Sequence, residues 1–251
     1  MTIKGGDTGS FDWPVAGTPL RVHWATRTDV GRRREINEDA AVATPPVFAV
    51  ADGMGGHEAG EVASACVVER LSELQGRTVS EDDVVSALRG AVADLAETGV
   101  DPGSGTTVSG IFLHDAEPAV TVFNIGDSRV YRFREGDLEQ LTRDHSVVQD
   151  LVDAGELASE DAESHPHANV ITRAVGFYDD PLPDSVRHAV ASGDWYLVCS
   201  DGLTKELTSY GLSHFLEHAV DPAHAAESLL DAALQNGGRD NVTLVVLRIT
   251  D

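Results

Sequence analysis

The apolar and polar positions divide this 251-residue chain into strand-like and helix-like stretches in alternation. An apolar run at 47–51 stops on Asp52, then passes through Gly53, Gly55, Gly56 and Gly60 into a helical pattern. That order predicts strand, tight turn and helix, with one carboxylate delivered at the strand end. Residues 59–74 set Ala63, Val67, Leu71 and Leu74 on one helical face. A second helix is expected from Ser80, which with Asp83 resembles a capping box. Its apolar stripe is Val84, Leu88, Ala91 and Leu95. Alternation predicts a first strand at 20–26, another running to Leu113, and two more at 119–125 and 128–133. Gly126-Asp127 between the last two suits a type II′ hairpin, and 138–141 continues the meander. Strands follow at 185–190 and 195–199, the second ending on Ser200-Asp201-Gly202. A helix is expected at 209–218, and Asp221 caps another with Pro222 at its first position and Gly237 past its end. The final run at 242–249 follows Arg239-Asp240-Asn241 and is apolar throughout, which predicts a strand buried on both faces.

The remaining segments break this regularity. Residues 1–19 are rich in Gly, Thr, Asp and Pro and read as a flexible leader to one domain spanning 20–251. Residues 29–39 form a dense charged loop in which Arg32, Arg33 and Arg34 stand beside Glu38 and Asp39. From about 145 to 174 short helical pieces, joined by Gly155 and His165-Pro166-His167, suggest an excursion packed on the main body.

Composition narrows the classes of function. Eighteen basic against 42 acidic residues give a net charge of −24, which excludes nucleic acid and anionic membrane surfaces as partners. No apolar run reaches the roughly 20 residues of a membrane span, and no signal-peptide pattern opens the chain. A cytoplasmic protein is expected. Cys66 and Cys199 lie in apolar patterns and lack zinc-site spacing. Gly53 and Gly55 open a G-x-G, but Glu58 stands where a third glycine belongs, and Asp52 would repel a pyrophosphate. The approach 101–107 lacks the lysine of a phosphate-binding P-loop, and no G-x-S-x-G elbow supports a serine triad.

Three strongly apolar strands therefore carry an aspartate at one end: Asp52, Asp201 and Asp240. If those strands are neighbours, the carboxylates converge, and like charges gather only when cations neutralise them or their pKa values rise. A donor set of oxygens alone selects hard cations such as Mg²⁺ or Mn²⁺. Two such ions about 3.5–4 Å apart clamp phosphoryl groups, with an arginine to grip the phosphate oxygens. The residues alone thus lead to a binuclear metal-dependent phosphohydrolase.

The chain also resembles the bacterial form of the PPM family of metal-dependent serine/threonine protein phosphatases, the type 2C group. The resemblance rests on Arg34-Glu-Ile-Asn-Glu38-Asp39, Asp52-Gly-Met-Gly-Gly56, Ser104-Gly-Thr-Thr107, Gly126-Asp-Ser-Arg129, Ser200-Asp-Gly202 and Asp240-Asn241, in family order across about 20–250. It implies an α+β fold, a four-layer αββα sandwich with two central antiparallel sheets flanked by helices, and a helical flap. It implies that Asp52 bridges two Mn²⁺ or Mg²⁺ ions and that the Gly53 carbonyl reaches one. Asp201 and Asp240 would complete the other, and Glu38 and Asp39 would order bound waters or supply a direct ligand. Asp127 matches the position of a weaker third ion, against its own reading as a turn former, and Arg34 matches the phosphate-binding arginine. Hydroxide held between the ions would attack phosphoserine or phosphothreonine in line, so neither cysteine has a role. Eukaryotic members place a histidine general acid where this chain has Met54. A thioether donates no proton, which leaves a water, the favoured source, or His57. Expected partners are phosphorylated proteins made by a serine/threonine kinase, acted on by a monomer. The alternatives are an inactive phosphopeptide-binding relative and an enzyme of the same fold acting on a small phosphoester.

Overall fold

The computed structural model describes residues 1–15, 18–55, 59–100, 103–177 and 180–251. Its first sheet contains β1 (Thr2–Lys4), β4 (Asp39–Thr44), β5 (Val47–Met54), the two-residue β6 (Gly105–Thr106), β7 (Val108–Leu113), β8 (Ala119–Ile125) and β11 (Asp184–Ala189). The second contains β2 (Thr8–Val15), β3 (Thr18–Asp29), β9 (Arg129–Arg134), β10 (Asp137–Gln140), β12 (Trp195–Cys199) and β13 (Val242–Thr250). The strand orders are β1-β4-β5-β7-β8-β11, with β6 on β5, and β10-β9-β12-β13-β3-β2. Pairing is antiparallel except at the first sheet's edge, where β1 runs parallel to β4.

Period-2 alternation sorts each strand between two cores. Along β5, Val47, Ala49 and Ala51 face outward onto α1 (Ala59–Ser72) and α2 (Glu81–Thr98), while Phe48 and Val50 face the opposite sheet. Along β13, Val245, Leu247 and Ile249 point inward, and Leu244 and Val246 pack on α5 (Ser209–Glu217) and α6 (Pro222–Asn236). The result is the expected four-layer αββα sandwich. β13 lies between β12 and β3, which explains why its sequence is apolar on both faces. The Ser80 capping box forms in both directions, and Asp221 caps α6 through the His224 amide.

Three expectations change. Residues 1–15 are not a loose leader, because Thr8–Val15 pairs along its whole length with β3 and sinks Trp13 and Val15 into the inter-sheet core. Polar residues at every second position of that segment sit on the exposed face, which gave it a loop-like composition. The hairpin at Gly126-Asp127 is absent: β8 belongs to the first sheet and β9 to the second, so this turn carries the chain between them. Gly126 is needed there at φ +109°, since an added Cβ would stand 2.6 Å from Thr107 Cγ2. The hairpin is the next one, β9 to β10 through Glu135-Gly136. Finally, β5 continues two residues beyond Asp52, so this aspartate lies within a paired strand.

Trp13 also donates its indole N–H to the His114 carbonyl at 2.9 Å, tying the second sheet's edge strand to the turn after β7. Trp13→Ala should lower unfolding stability by about 3–5 kcal/mol in a urea titration. An unchanged midpoint would return residues 1–15 to the role of a leader.

Candidate active site

The inter-sheet layer turns polar at one end. Asp39 continues the inward face of β4 after Ala41 and Ala43, and Asp52 continues that of β5 after Phe48 and Val50. The two aspartates are direct cross-strand partners, an arrangement that repels unless something intervenes. Hydroxyls surround them. Ser200 donates to Asp39 Oδ2 at 2.9 Å, and the Asp52 amide donates to Thr107 Oγ1 at 3.0 Å. Thr107 and Ser128 share a hydroxyl contact at 2.8 Å, and Ser109 donates to the Ser128 carbonyl at 2.7 Å. These short side chains keep the strands in register and fix the carboxylates on a scaffold with little freedom to relax.

Two loops complete the site. Asn241 donates to the carbonyls of Val30 and Ile36, both at 2.9 Å, and accepts from the Glu38 amide at 2.9 Å. One side chain thereby shapes the charged loop before β4 and brings Arg34 onto Asp240, Nε to Oδ1 at 2.9 Å and Nη2 to Oδ2 at 3.1 Å. Arg32 and Arg33 remain exposed. Asp201 opens α4 (Asp201–Thr204), and Lys205 at its end places Nζ 2.5 Å from Asp201 and 3.5 Å from Asp240. Gly53 admits no side chain, as a Cβ would lie 2.1 Å from the Gly60 carbonyl oxygen.

A cleft of 360 Å³ unites these groups, lined by Arg34, Glu38, Asp52, Gly53, Asp127, Asp201, Lys205 and Asp240, with Met54 on its wall. Every sequence-assigned residue except Asp39 lines it, and Asp39 is fully buried beneath, beside Asp52. The excursion holds α3 (Val147–Asp153) and a 3₁₀ helix, Ser159–Ser164, and it brings Asn169 and Ile171 to the rim. Its root is fastened where the His145 amide donates to the Gly126 carbonyl at 2.9 Å and the Gly126 amide returns to His145 Nδ1 at 3.0 Å. His57, the other proton source considered, lies outside the described residues, as do Gly56 and Glu58.

The electrostatics point to cations. Burial, then repulsion from Asp39, Asp201, Asp127 and Asp240, holds the Asp52 carboxyl well above the carboxylate range. Asp39 is pushed up to about 7 by burial and by Asp201 and Asp240, against hydrogen bonds from Thr243 and Ser200. Asp127 is also pushed up to about 7, by burial, Asp201 and Asp144, with Lys205 opposing. Burial raises Glu38 too, against the pull of Arg34. Asp39 Oδ1 and Asp201 Oδ1 are buried without a hydrogen-bond partner. No trio of His, Cys, Asp or Glu among the described residues closes tightly enough to grip one ion. The set is gathered but open, all oxygen and short of positive charge, and so fits hard divalent cations.

Sequence reading missed Lys205 and the roles of Asn241, Thr107, Ser128 and Ser200. A signal existed for the first: Lys205 stands four residues after Asp201, one helical turn away, in a chain with only one other lysine.

Fold and site together define a two-sheet sandwich with an acidic, arginine-edged cleft suited to divalent cations. Residues 32–236 match the family model for protein phosphatase 2C, and the chain belongs to that family. It is 39% identical over 244 residues to the serine/threonine protein phosphatase PstP of Mycobacterium tuberculosis, covering 94% of this chain and 47% of that one. The chain thus spans about half the length of that relative. It is 34% identical to the serine/threonine phosphatase stp of Listeria welshimeri, covering 90% of this chain and 95% of the relative. Among solved structures, the M. tuberculosis phosphatase PstP/Ppp superposes with a TM-score of 0.85 at 37% identity, covering 92% of this chain and 99% of that one. The PstP catalytic domain in complex with two manganese ions gives 0.84 at 36% identity, covering 92% and 100%.

The raised carboxyls set a pH dependence. A carboxyl whose folded pKa exceeds its unfolded value favours the folded state at low pH, and this contribution is lost as pH rises through the folded pKa. In EDTA, the contribution of Asp39, Asp52 and Asp127 should make the melting temperature fall from about pH 5.5 to about pH 8. Mn²⁺ should raise it more at the higher pH, where protons no longer compete for the carboxylates. Equal Mn²⁺ stabilisation at both pH values would contradict this account.

Proposed function

We propose that the chain is a metal-dependent protein serine/threonine phosphatase using two Mn²⁺ or Mg²⁺ ions. The observation that carries this reading is the crowded, part-buried carboxylate group around Asp52, with unpartnered oxygens at Asp39 and Asp201 and with Arg34 at its edge. The names of the relatives and the manganese-bound neighbour support it. Asp52, the Gly53 carbonyl, Asp201 and Asp240 would hold the ions, and Glu38 and Asp39 would orient water or add a ligand. Asp127 would serve a weaker third ion. When bound, the ions supply Lewis-acid activation of water and neutralise charge on the phosphoryl oxygens.

The chain's own groups do the remainder. Arg34 presents a half-exposed guanidinium to the cleft, where its planar fork can exchange Asp240 for two phosphate oxygens. Burial alone would lower its pKa, but Asp240, Glu38 and Asp52 outweigh this, and Arg34 stays charged throughout. Asp39 and Asp52 are fixed by strand pairing, so these two carboxylates need not move as a phosphate arrives. Met54 offers no proton at the wall, so the serine or threonine oxygen would take its proton, as it leaves, from water, the favoured source, or from His57. Cys66 and Cys199 are free thiols, and burial pushes Cys199 up to about 12, which keeps it inert. No helix among the described residues is long and apolar enough to cross a membrane. A cytoplasmic monomer acting on the products of a serine/threonine kinase is part of the proposal, supported by the unpaired thiols and the −24 charge. So is a catalytic domain spanning 20–251, to which β2 now adds its edge strand.

Turnover of p-nitrophenyl phosphate with Mn²⁺ should vanish on adding EDTA and in Asp52→Asn and Asp240→Ala. Arg34→Ala should raise KM about tenfold or more while Mn²⁺ binding persists. Asp127→Ala should keep two bound ions by calorimetry. Near-normal turnover of Asp52→Asn would overturn the metal assignment, and no turnover by the wild type on any phosphopeptide would overturn the phosphatase reading.

A further inference from the structure

Among the described residues, Arg34 and Lys205 are the cationic side chains that line the acidic cleft. Arg34 has a ready role as a phosphate ligand, and Lys205 has none. Its ammonium spans Asp201 and Asp240, the two carboxylates expected to share an ion, at 2.5 and 3.5 Å. Its backbone is fixed. The Lys205 amide donates to the Asp201 carbonyl at 2.8 Å, and its own carbonyl accepts from Arg239 Nη2 at 2.7 Å. Only the four-carbon stem is free to swing. Beside it lies an adjoining pocket of 80 Å³ that shares Asp127, Asn169, Asp201 and Lys205 with the cleft and is walled further by Ser146 and by Asp144, whose carboxylate already holds Arg129. The ammonium therefore has both a site to occupy and a place to go.

We propose that Lys205 is an internal counter-cation that occupies the Asp201–Asp240 pair in the metal-free protein and is displaced into the adjoining pocket when a divalent ion binds. This rests on the metal-site reading above. Ion uptake at this pair is then an exchange of one cation for another, weaker than simple addition, because the ion must first displace a unit charge in a partly buried site. The device holds the two carboxylates apart from each other's repulsion when no metal is present. A compact ammonium on a flexible stem suits it, whereas a planar guanidinium would lock both carboxylates.

The chain has two lysines, Lys4 and Lys205, so protein labelled with ¹³C at the lysine ε-carbon gives two signals that Lys4→Arg assigns. Titrating the metal-free protein with Mg²⁺ should shift the Lys205 signal and leave Lys4 in place. Calorimetry with Mn²⁺ should show one site in Lys205→Met tightened about tenfold or more, while metal-free Lys205→Met melts below the wild type. A Lys205 signal unmoved by saturating Mg²⁺, or a variant that binds Mn²⁺ no tighter than the wild type, overturns the proposal and leaves the metal site standing. Failure of the wild type to take up either ion removes the metal reading itself. If Lys205→Met does not fold, the Mg²⁺ titration of the wild type still decides.

Discussion

Like charge forced together at one end of an apolar layer is the constraint on which this structure turns. Among the described residues, Glu38, Asp52, Asp127, Asp201 and Asp240 share one cleft with the cations Arg34 and Lys205, and Asp39 lies buried beneath them. In water these carboxylates would separate. Here the strands that carry them are interior members of two sheets, and their neighbours supply the packing that overrides the repulsion. The apolar residues of β4, β5 and β13 do more than form a core: they are the spring that holds the charges in place. Cations, protons or both must then complete the balance.

Register is the means by which the spring acts. A one-residue slip of β5 would turn Asp52 outward into the helix layer and Phe48 away from the second sheet. Asp39 and Asp52 are locked opposite each other because Ala40, Val42, Ala49 and Ala51 fill the space under α1 on the same two strands. The hydroxyls of Thr107, Ser128 and Ser200 replace larger apolar residues at the polar end of the layer. They give the backbone and carboxylates hydrogen-bond partners without adding charge.

Much of this was legible in the sequence, and the illegible part has physical causes. Helices and their caps at Ser80 and Asp221 follow from local chemistry, so their positions could be read directly. Asp52, Asp201 and Asp240 could be grouped because each interrupts an apolar run. Alternation shows that a residue faces a sheet surface, yet it does not show which strand lies alongside. The turn at Gly126-Asp127 was therefore read as a hairpin when it is a crossing between sheets, and that crossing is what brings Asp127 to the cleft. The edge strand Thr8–Val15 alternates, but with polar residues so short that composition hid it. Lys205 reaches the site through a four-residue helix too short to leave a periodic pattern.

The molecule itself distinguishes a structural acid from a site acid. Asp194 is fully buried, and Arg134 grips it with Nε at 2.5 Å and Nη2 at 2.6 Å. Asp144 receives Arg129 through three contacts between 2.6 and 3.0 Å, and Glu206 receives Arg239 on its inner carboxylate. Where this chain buries a carboxylate for architecture, it supplies an arginine fork. At the cleft it gathers five part-buried carboxylates over the buried Asp39 and supplies one fork and one ammonium, leaving one oxygen each of Asp39 and Asp201 buried without a partner. An ordinary ion-pair network would not leave that deficit, since an unpaired buried charge costs several kcal/mol or more. In the proposed reading a divalent ion would supply the missing partner, and protons hold the balance until it binds. Arg34 is left half exposed at the edge of the cleft, where the proposed reading sets the phosphate.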